Sequence, residues 1–272
     1  MPITVKTFPS LGEAASALAS ERGARFLAGG TLVMRAINEG DTSFSTVVRS
    51  TDRGFADIRS AGAGITLGAG VTMAKIIASQ ELAFLHPVAR AVGGPAIRTV
   101  ATVGGNLFAP APYGDFTVAL LALNATLALQ GGYGGREMPL EEFLANRDLS
   151  GSGLVASITL NRPMTAEAFH FRKVARVKPK GISVLSIAAH LPMNGGRIAG
   201  ARVAYGAMAP RAIRAKAVER ALEGRSLDEA GISPALAVAA EGTSPATDAI
   251  ASAWYRREMV AVHLKRLLLG TT

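Results

Sequence analysis

Two glycine-rich loops carry the residues whose types and spacing are best suited to chemistry. The first loop reads Phe26-Leu27-Ala28-Gly29-Gly30-Thr31, and the second loop reads Thr102-Val103-Gly104-Gly105-Asn106. A glycine pair lets the backbone come close to a neighbour, and a threonine or asparagine beside it can hydrogen-bond a phosphate oxygen. Either loop alone is more often only a tight turn or a bulge. The two together favour a cradle for the diphosphate of a dinucleotide.

A carboxylate follows the second loop at Asp115, after the proline-rich turn Pro110-Ala111-Pro112. An aspartate that follows such a turn is typical of an N-cap, here for a helix predicted to run to Leu121. The same side chain can hydrogen-bond a sugar hydroxyl of a bound dinucleotide. The residue pattern leaves both roles open.

The elements around the first loop place it at the start of a helix. Residues 3–8 are β-rich, Ser10 and Glu13 form a capping-box pattern before a helix over 14–20, and an extended run follows at 25–28. The glycine pair then opens a helix predicted over 32–38. Backbone N–H groups and the helix dipole at such a position favour an anion.

The rest of the chain divides in character near residue 165. Before it, the patterns predict strands at 64–70 and 125–129 and helices at 72–79 and 86–92, with the second loop after an extended run from 100. After it, they predict three consecutive strands and then three helices: strands 169–174, 182–191 and 198–208, and helices 212–222, 234–241 and 253–269. This second part therefore reads as an α+β appendage.

The composition excludes several classes of site. The chain has 272 residues and no cysteine, which excludes disulfides, thiolate-ligated zinc or iron–sulfur clusters, and cysteinyl attachment of a flavin. Four histidines are scattered without a metal-ligand spacing, so we predict no metal site. The apolar fraction of 49% suits a buried core, and no stretch predicts a membrane span or a secretory leader. These features predict a cytoplasmic protein.

The net charge of +9 is spread over a chain with only 18% charged residues. The exception is a cluster of five cations at Arg172, Lys173, Arg176, Lys178 and Lys180. Such a cluster is typical of a solvated loop, and it can also face an anionic cofactor or partner. No aromatic residues interleave it, so we do not predict a nucleic-acid platform. The alternative that the chain is a non-enzymatic binder of anions or nucleic acid is supported by this charge alone.

Several motifs, in order along essentially the whole chain, resemble the FAD-binding medium subunit of molybdenum hydroxylases. They are the run 26–31, the run Pro95-Ala96-Ile97-Arg98-Thr99-Val100-Ala101-Thr102-Val103-Gly104-Gly105-Asn106-Leu107, the pair Pro112 and Asp115, and the late run Ala253-Trp254-Tyr255-Arg256-Arg257. This family includes the flavoprotein subunits of aerobic carbon monoxide dehydrogenase and of bacterial xanthine dehydrogenase.

The resemblance implies an α+β fold with two domains. Residues 1–165 would form a two-lobed FAD-binding domain of the vanillyl-alcohol oxidase (PCMH) type, with lobes at about 1–52 and 53–165. Residues 166–272 would form a small C-terminal domain, like that of the carbon monoxide dehydrogenase flavoprotein, with three antiparallel strands and helices.

The resemblance also implies noncovalent FAD and a set of residues that bind it. Both loops would hold the diphosphate, Asp115 would reach the ribityl or ribose part, and Val155 and Lys173 would lie at the flavin end. The residues from the two loops are Leu27, Ala28, Gly29, Gly30, Thr31, Leu32, Val33, Thr102, Val103, Gly104, Gly105 and Asn106. No catalytic side chain and no metal ligand are expected in this chain.

The implied function is electron transfer within a hetero-oligomer. A large subunit would carry molybdopterin, a small subunit would carry [2Fe–2S] clusters, and FAD on this chain would pass electrons to NAD, a quinone or oxygen. The alternative is a self-contained FAD-dependent oxidoreductase that binds its own substrate. The sequence departs from the family at Leu32, where an acidic residue is common, and at 177–180, which lacks the aromatic residue that some relatives place beside the flavin.

Overall fold

The computed structural model describes residues 2–131, 135–146, 153–177 and 181–271. They form two compact units that interleave along the chain. The first unit comprises Met1–Glu81, Gly94–Ala109 and Ala125–Asn161, and the second comprises Leu82–Gly93, Pro110–Asn124 and Arg162–Thr272. No described helix is long and apolar enough to cross a bilayer. The predicted division into continuous domains at 165/166 stays a prediction.

Strands and helices are mixed throughout the described residues, which confirms the α+β class. The strands are β1 (Thr4–Phe8), β2 (Arg25–Phe26), β3 (Thr46–Ser50), β4 (Ile58–Ala61), β5 (Gly64–Gly68), β6 (Thr126–Gly131), β7 (Glu137–Pro139), β8 (Gly153–Asn161), β9 (Phe169–Ala175), β10 (Ser183–His190), β11 (Met193–Asn194), β12 (Arg197–Ile198), β13 (Arg202–Gly206) and β14 (Ile213–Arg214). The α-helices are α1 (Leu11–Ser20), α2 (Val33–Asn38), α3 (Met73–Ala78), α4 (His86–Ala91), α5 (Pro95–Arg98), α6 (Val103–Asn106), α7 (Asp115–Ala122), α8 (Leu140–Asn146), α9 (Lys216–Leu222), α10 (Glu229–Ala237) and α11 (Ala253–Leu268).

The first unit contains a small parallel sheet and a larger antiparallel sheet. The parallel sheet has the order β1-β3-β2, and the antiparallel sheet has the order β4-β5-β8-β6-β7. Helix α1 buries Leu11, Ala14 and Leu18 against Val48 of β3 and Leu154 of β8. Ser10 is confirmed as the N-cap of α1, because its hydroxyl accepts from the Glu13 N–H at 3.2 Å; the Glu13 carboxylate accepts from the same hydroxyl at 3.0 Å.

The second unit is built on the antiparallel sheet β14-β13-β10-β9. Successive side chains of a strand point to opposite faces, so Lys173 and Val174 of β9 lie on different faces. Helices α4 and α7 pack on the face that carries Lys173. Helices α9, α10 and α11 bury the apolar residues of the other face, which include Leu185, Ile187, Val203 and Tyr205.

The strands predicted at 169–174 and 182–191 are confirmed as β9 and β10, whereas the one predicted at 198–208 is divided between β12 and β13, and the short strands β11 and β14 were missed. The prediction placed 212–222 in one helix, but Ile213 and Arg214 pair with β13 and the helix begins at Lys216. The Arg214 side chain is also held by Glu219, at 2.6 Å from its Nη2 to Oε2. Tertiary pairing therefore overrides the local helical preference in this segment.

Candidate functional site

The first loop lies against the chain that leads into the second loop, within the first unit. A Cβ atom built on Gly29 would overlap the carbonyl oxygen of Val100. Val100 stands two residues before Thr102, the first residue of the second loop. The two predicted loops are therefore neighbours, and their close approach requires glycine at position 29.

The first loop presents a run of free backbone amides. The Leu27 N–H donates to the Val48 carbonyl oxygen at 2.7 Å, and the Met34 N–H donates to the Gly30 carbonyl oxygen at 2.8 Å. Between them, the N–H groups of residues 28–33 make no hydrogen bond to any residue that the structure describes. We call these six N–H groups the amide run. All six residues are half-buried. Unpaired amides in a half-buried loop can bond to water or to an anion, and several adjacent ones suit an anion.

The conformation of the first loop also depends on Gly30. Its φ is +74°, which lies in the left-handed region that residues with a side chain rarely adopt. Helix α2 begins at Val33, so the last N–H of the amide run lies at a helix N-terminus, as the sequence predicts. Leu32 is the N-cap residue of α2 and makes no side-chain hydrogen bond. The hydrogen-bond donors that this loop can offer are therefore its backbone amides and the Thr31 hydroxyl.

The second loop differs from the first because its backbone amides already have partners. The N–H groups of residues 103–107 all donate within the chain, over 2.8 to 3.1 Å. Their acceptors, in order, are the carbonyl oxygens of Val71 and Ala69, the Thr102 hydroxyl, and the carbonyl oxygens of Thr102 and Gly104. The Thr102 hydroxyl accepts from Gly105 and keeps its own hydrogen for a ligand.

The glycines of the second loop allow tight packing inside the protein. A Cβ atom on Gly104 would lie 2.6 Å from the Ala69 Cβ and 2.9 Å from the Ala69 carbonyl oxygen. The two loops therefore differ, because only the first has backbone amides without a partner among the described residues. In the second loop, the side chains of Thr102 and Asn106 are the groups suited to contact a diphosphate.

Val155 lies in β8, the strand whose backbone supports the second loop. The Ala69 N–H donates to the carbonyl oxygen of Ala156 at 2.9 Å, and Ala69 in turn contacts Gly104. The Val155 side chain is buried, and the residue pairs with Leu129 of β6. Val155 is therefore one residue from the backbone that supports the second loop.

Asp115 lies in the second unit and begins α7 without capping it. The N-cap residue is Gly114, whose φ of +95° is left-handed, so the cap predicted for Asp115 is wrong. The carboxylate is buried instead. Its Oδ1 accepts from the Ser183 hydroxyl at 2.7 Å, and its Oδ2 lies 2.8 Å from the Lys173 ammonium.

Lys173 is paired with Asp115 and donates a second hydrogen bond to the Ala91 carbonyl oxygen at 2.9 Å. The structure thus brings together two of the predicted site residues, and the pair is formally neutral. Ser183, which completes the cluster, was not predicted. It lies 68 residues from Asp115 in sequence, and no local pattern marks it.

The five-cation cluster does not form one surface in the described residues. Arg172 and Lys173 point to opposite faces of β9. The Arg172 guanidinium donates to the Thr271 carbonyl oxygen at 2.6 Å, and burial together with the nearby Arg266 lowers its pKa. Lys178 and Lys180, and the loop segment 178–180 that departs from the family, lie outside the described residues. Among the described residues, no cluster of acidic or histidine side chains is arranged to hold a metal ion.

Comparison with known proteins places this geometry in a family. Residues 4–162 match the FAD binding domain in molybdopterin dehydrogenase, and residues 169–271 match the CO dehydrogenase flavoprotein C-terminal domain. The chain is 28% identical to the carbon monoxide dehydrogenase medium chain of Afipia carboxidovorans, over 77% of this chain and 75% of that one. It is 25% identical to the xanthine dehydrogenase FAD-binding subunit of Escherichia coli, over 95% and 92% of the two chains.

A solved structure shows the same fold over almost the whole chain. A chain of the reconstituted CO dehydrogenase from Oligotropha carboxidovorans superposes with a TM-score of 0.88 at 26% identity. The superposition covers 98% of this chain and 97% of that chain.

Proposed function

The chain belongs to the family of FAD-binding subunits of molybdopterin dehydrogenases, and from this premise we propose that it is the electron-transfer subunit of a molybdenum-containing hydroxylase. It would hold one FAD without a covalent bond. When bound, FAD supplies the redox chemistry, taking electrons from iron–sulfur clusters and passing them to NAD, a quinone or oxygen. The chain itself would bind, orient and shield the cofactor, and we assign it no general acid or base.

The amide run supports this proposal most directly. Six adjacent N–H groups without partners match the oxygens of a diphosphate, and hydrogen bonds from N–H groups to an anion are stronger than those between neutral groups. The hydroxyls of Thr31 and Thr102 lie in the same two loops and can add donors. The second loop would then serve mainly to hold the first loop in place, through the contact of Gly29 with the Val100 backbone.

The roles proposed for Val155, Asp115 and Lys173 are supported by different observations. Val155 would act through the backbone that anchors the second loop. Asp115 and Lys173 are proposed as FAD-binding residues on the family resemblance, and each already has partners inside the second unit. A contact from either residue to FAD would therefore use a remaining lone pair or ammonium hydrogen.

The absence of cysteine supports the proposed partners. Clusters of the [2Fe–2S] type need thiolate ligands, and this chain has none to offer. We therefore place the clusters in a small partner subunit and the molybdopterin centre in a large one. The substrate pocket would lie in that large subunit.

The cofactor assignment is tested by releasing whatever the purified chain carries. We expect denaturation and filtration to release FAD at about one per chain. FMN, a nicotinamide nucleotide or an empty filtrate would contradict the assignment.

Amide hydrogen exchange tests the site itself. With FAD removed, residues 28–33 should exchange fast, because their N–H groups have no acceptor, whereas residues 103–107 should already be protected. Adding FAD should slow exchange at 28–33 and leave 103–107 nearly unchanged. If protection on adding FAD appears at 103–107 and not at 28–33, the assignment of the amide run is wrong.

Recovery of the native complex separates the subunit from a self-contained oxidoreductase. We expect a tagged native chain to bring down a molybdenum-containing chain and an iron–sulfur chain. Recovery of this polypeptide alone, with substrate reducing its flavin directly, would favour the self-contained enzyme.

A further inference from the structure

An open cleft lies in the second unit where β9 ends and α11 begins. Its volume is about 420 Å³, and its walls include Val174, Arg176, Ile250, Trp254 and Tyr255. Trp254 is the only tryptophan of the chain, and it is 69% exposed, while Tyr255 is 41% exposed. Tryptophan, tyrosine and arginine are the residue types that most often dominate the energy of protein–protein interfaces.

The cleft is preformed because the residue that directly follows its two aromatic residues is fixed. Arg256 is 1% exposed, and its guanidinium donates to the carbonyl oxygens of Val184 and Ala246 and to both carboxylate oxygens of Asp248. The segment before α11 is thereby tied to β10. A rigid wall of this kind loses little conformational entropy when a partner binds.

The cleft is separate from the cluster around Asp115. Val174 lines the cleft and lies on the face of β9 that packs against the last helices, whereas Lys173 lies on the opposite face. Among the described residues, Arg176 is the only charged side chain in the wall; it is exposed and makes no ion pair with any of them. The residues that line the cleft are thus not needed for the proposed cofactor contacts.

The charge of the unit that holds the cleft indicates the chemistry of its partner. By sequence, the second unit holds 18 of the 29 lysines and arginines and 9 of the 20 aspartates and glutamates, and the first unit holds 11 of each. The net charge of +9 therefore belongs entirely to the second unit. Such a surface attracts and orients an acidic partner.

We propose that this cleft docks an acidic segment of another subunit of the hydroxylase complex. An apolar side chain of that segment would pack between Val174 and Trp254, and a neighbouring carboxylate would pair with Arg176. The proposal rests on the proposed function for the existence of a partner subunit, but it names a surface that the cofactor does not use.

The test uses Trp254 as a reporter in the native complex. The chain is labelled with 5-fluorotryptophan, which gives a single ¹⁹F resonance, and is mixed with the partner subunits stripped from the native complex. We expect the resonance to shift on assembly. Trp254→Ala and Arg176→Glu should each weaken the affinity for the partner subunits at least about tenfold, since truncation of an interface anchor has effects of this order.

Matched controls separate the cleft from a general surface effect. Met164→Ala removes an apolar side chain that is 96% exposed elsewhere in the second unit, and Arg220→Glu reverses an exposed charge on α9. Both should assemble like the unaltered chain. The effect of Arg176→Glu should shrink at high salt, whereas that of Trp254→Ala should persist.

The FAD content of each variant distinguishes the two proposals. The docking surface would be overturned if the variants keep their full FAD content, the ¹⁹F resonance does not shift on assembly, and Trp254→Ala and Arg176→Glu bind the partner subunits with unchanged affinity. The proposed function would then stay intact. A shift that appears when the labelled chain is concentrated alone would assign the cleft to self-association and would also overturn it. A native chain without FAD or partners would overturn the proposed function and the docking surface together.

Discussion

Gly29 and Gly30 are adjacent, and the structure requires glycine at each for a different reason. At Gly29 there is no room for a Cβ atom, because the backbone of Val100 occupies its place. At Gly30 the φ of +74° sets the requirement, since a left-handed conformation costs a residue with a side chain roughly 1–2 kcal/mol. The first glycine joins the loops, and the second turns the chain towards α2.

Gly29→Ala should therefore separate the two loops. We expect a loss of about 1–3 kcal/mol in the free energy of unfolding, typical of overpacking against rigid neighbours, together with a marked loss of FAD. Urea unfolding and the FAD content of the folded fraction measure the two effects. Gly12→Ala is the matched control, because a Cβ there meets nothing within 4 Å and should stabilise α1 slightly. Equal stability of Gly29→Ala and the unaltered chain would contradict the packing described.

The Asp115–Lys173 pair is buried, so removing one partner should cost more than removing both. Asp115→Asn leaves the ammonium without its counter-ion, and we expect a loss of about 3–5 kcal/mol in the free energy of unfolding. The double variant Asp115→Asn with Lys173→Met should recover part of the lost free energy of unfolding, because no unpaired charge is left buried. Urea unfolding of the three proteins gives the comparison. If the double variant is folded and keeps its full FAD content, the two residues serve the fold and not the cofactor.

Helix α11 depends on the single buried arginine at its first turn. Arg256 is hydrogen-bonded to β10 and to the segment at 246–248, so Arg256→Ala would leave the buried Val184 carbonyl oxygen without this donor and would detach the segment from α11. We expect about 3–5 kcal/mol less stability, measured by urea unfolding. Arg257→Ala is a close control, because its side chain is exposed, and it should change stability by less than about 0.5 kcal/mol. Similar losses in the two variants would contradict this role.

The elements whose signals are local were predictable from the sequence. The start of α1 followed from Ser10 and Glu13, because an N-cap acts within one turn. The short strand β14 was missed, since its pairing partner lies on β13 and no local pattern records it.

The candidate site was likewise predictable only where its signals are local. The two glycine pairs predicted the loops, but only the structure shows which amides are free and that Gly104 faces Ala69. The partner of Asp115 could not be predicted for the same reason. Contacts across 68 residues depend on the packing of a whole unit and leave no signal in the spacing of residues.

Across the molecule, three histidines should make stability fall with acid. Burial lowers the pKa of His170, His190 and His263 below the ordinary value of 6.5, with Arg202 adding to the effect at His190, and Arg266 and Arg172 at His263. Above that value these side chains are neutral in both states. As the pH falls through it, the unfolded chain takes up protons first, so the free energy of unfolding decreases until the folded pKa is reached.

Urea midpoints at about pH 7.5 and about pH 5.5 measure this dependence, in a range where most carboxylates stay ionised. We expect a lower midpoint at the acidic pH and a smaller difference in the variant His263→Gln. A midpoint that rises on acidification would show that these histidines gain protons on folding.

The amide run has an evolutionary consequence. Its donors belong to the main chain, so they survive a change of side chain at most positions of the loop. Leu32, where the family resemblance leads us to expect an acidic residue, is such a change and removes none of these donors. We therefore expect sequences of this family to vary at Ala28, Leu32 and Val33 and to keep glycine at positions 29 and 30, where the backbone conformation requires it.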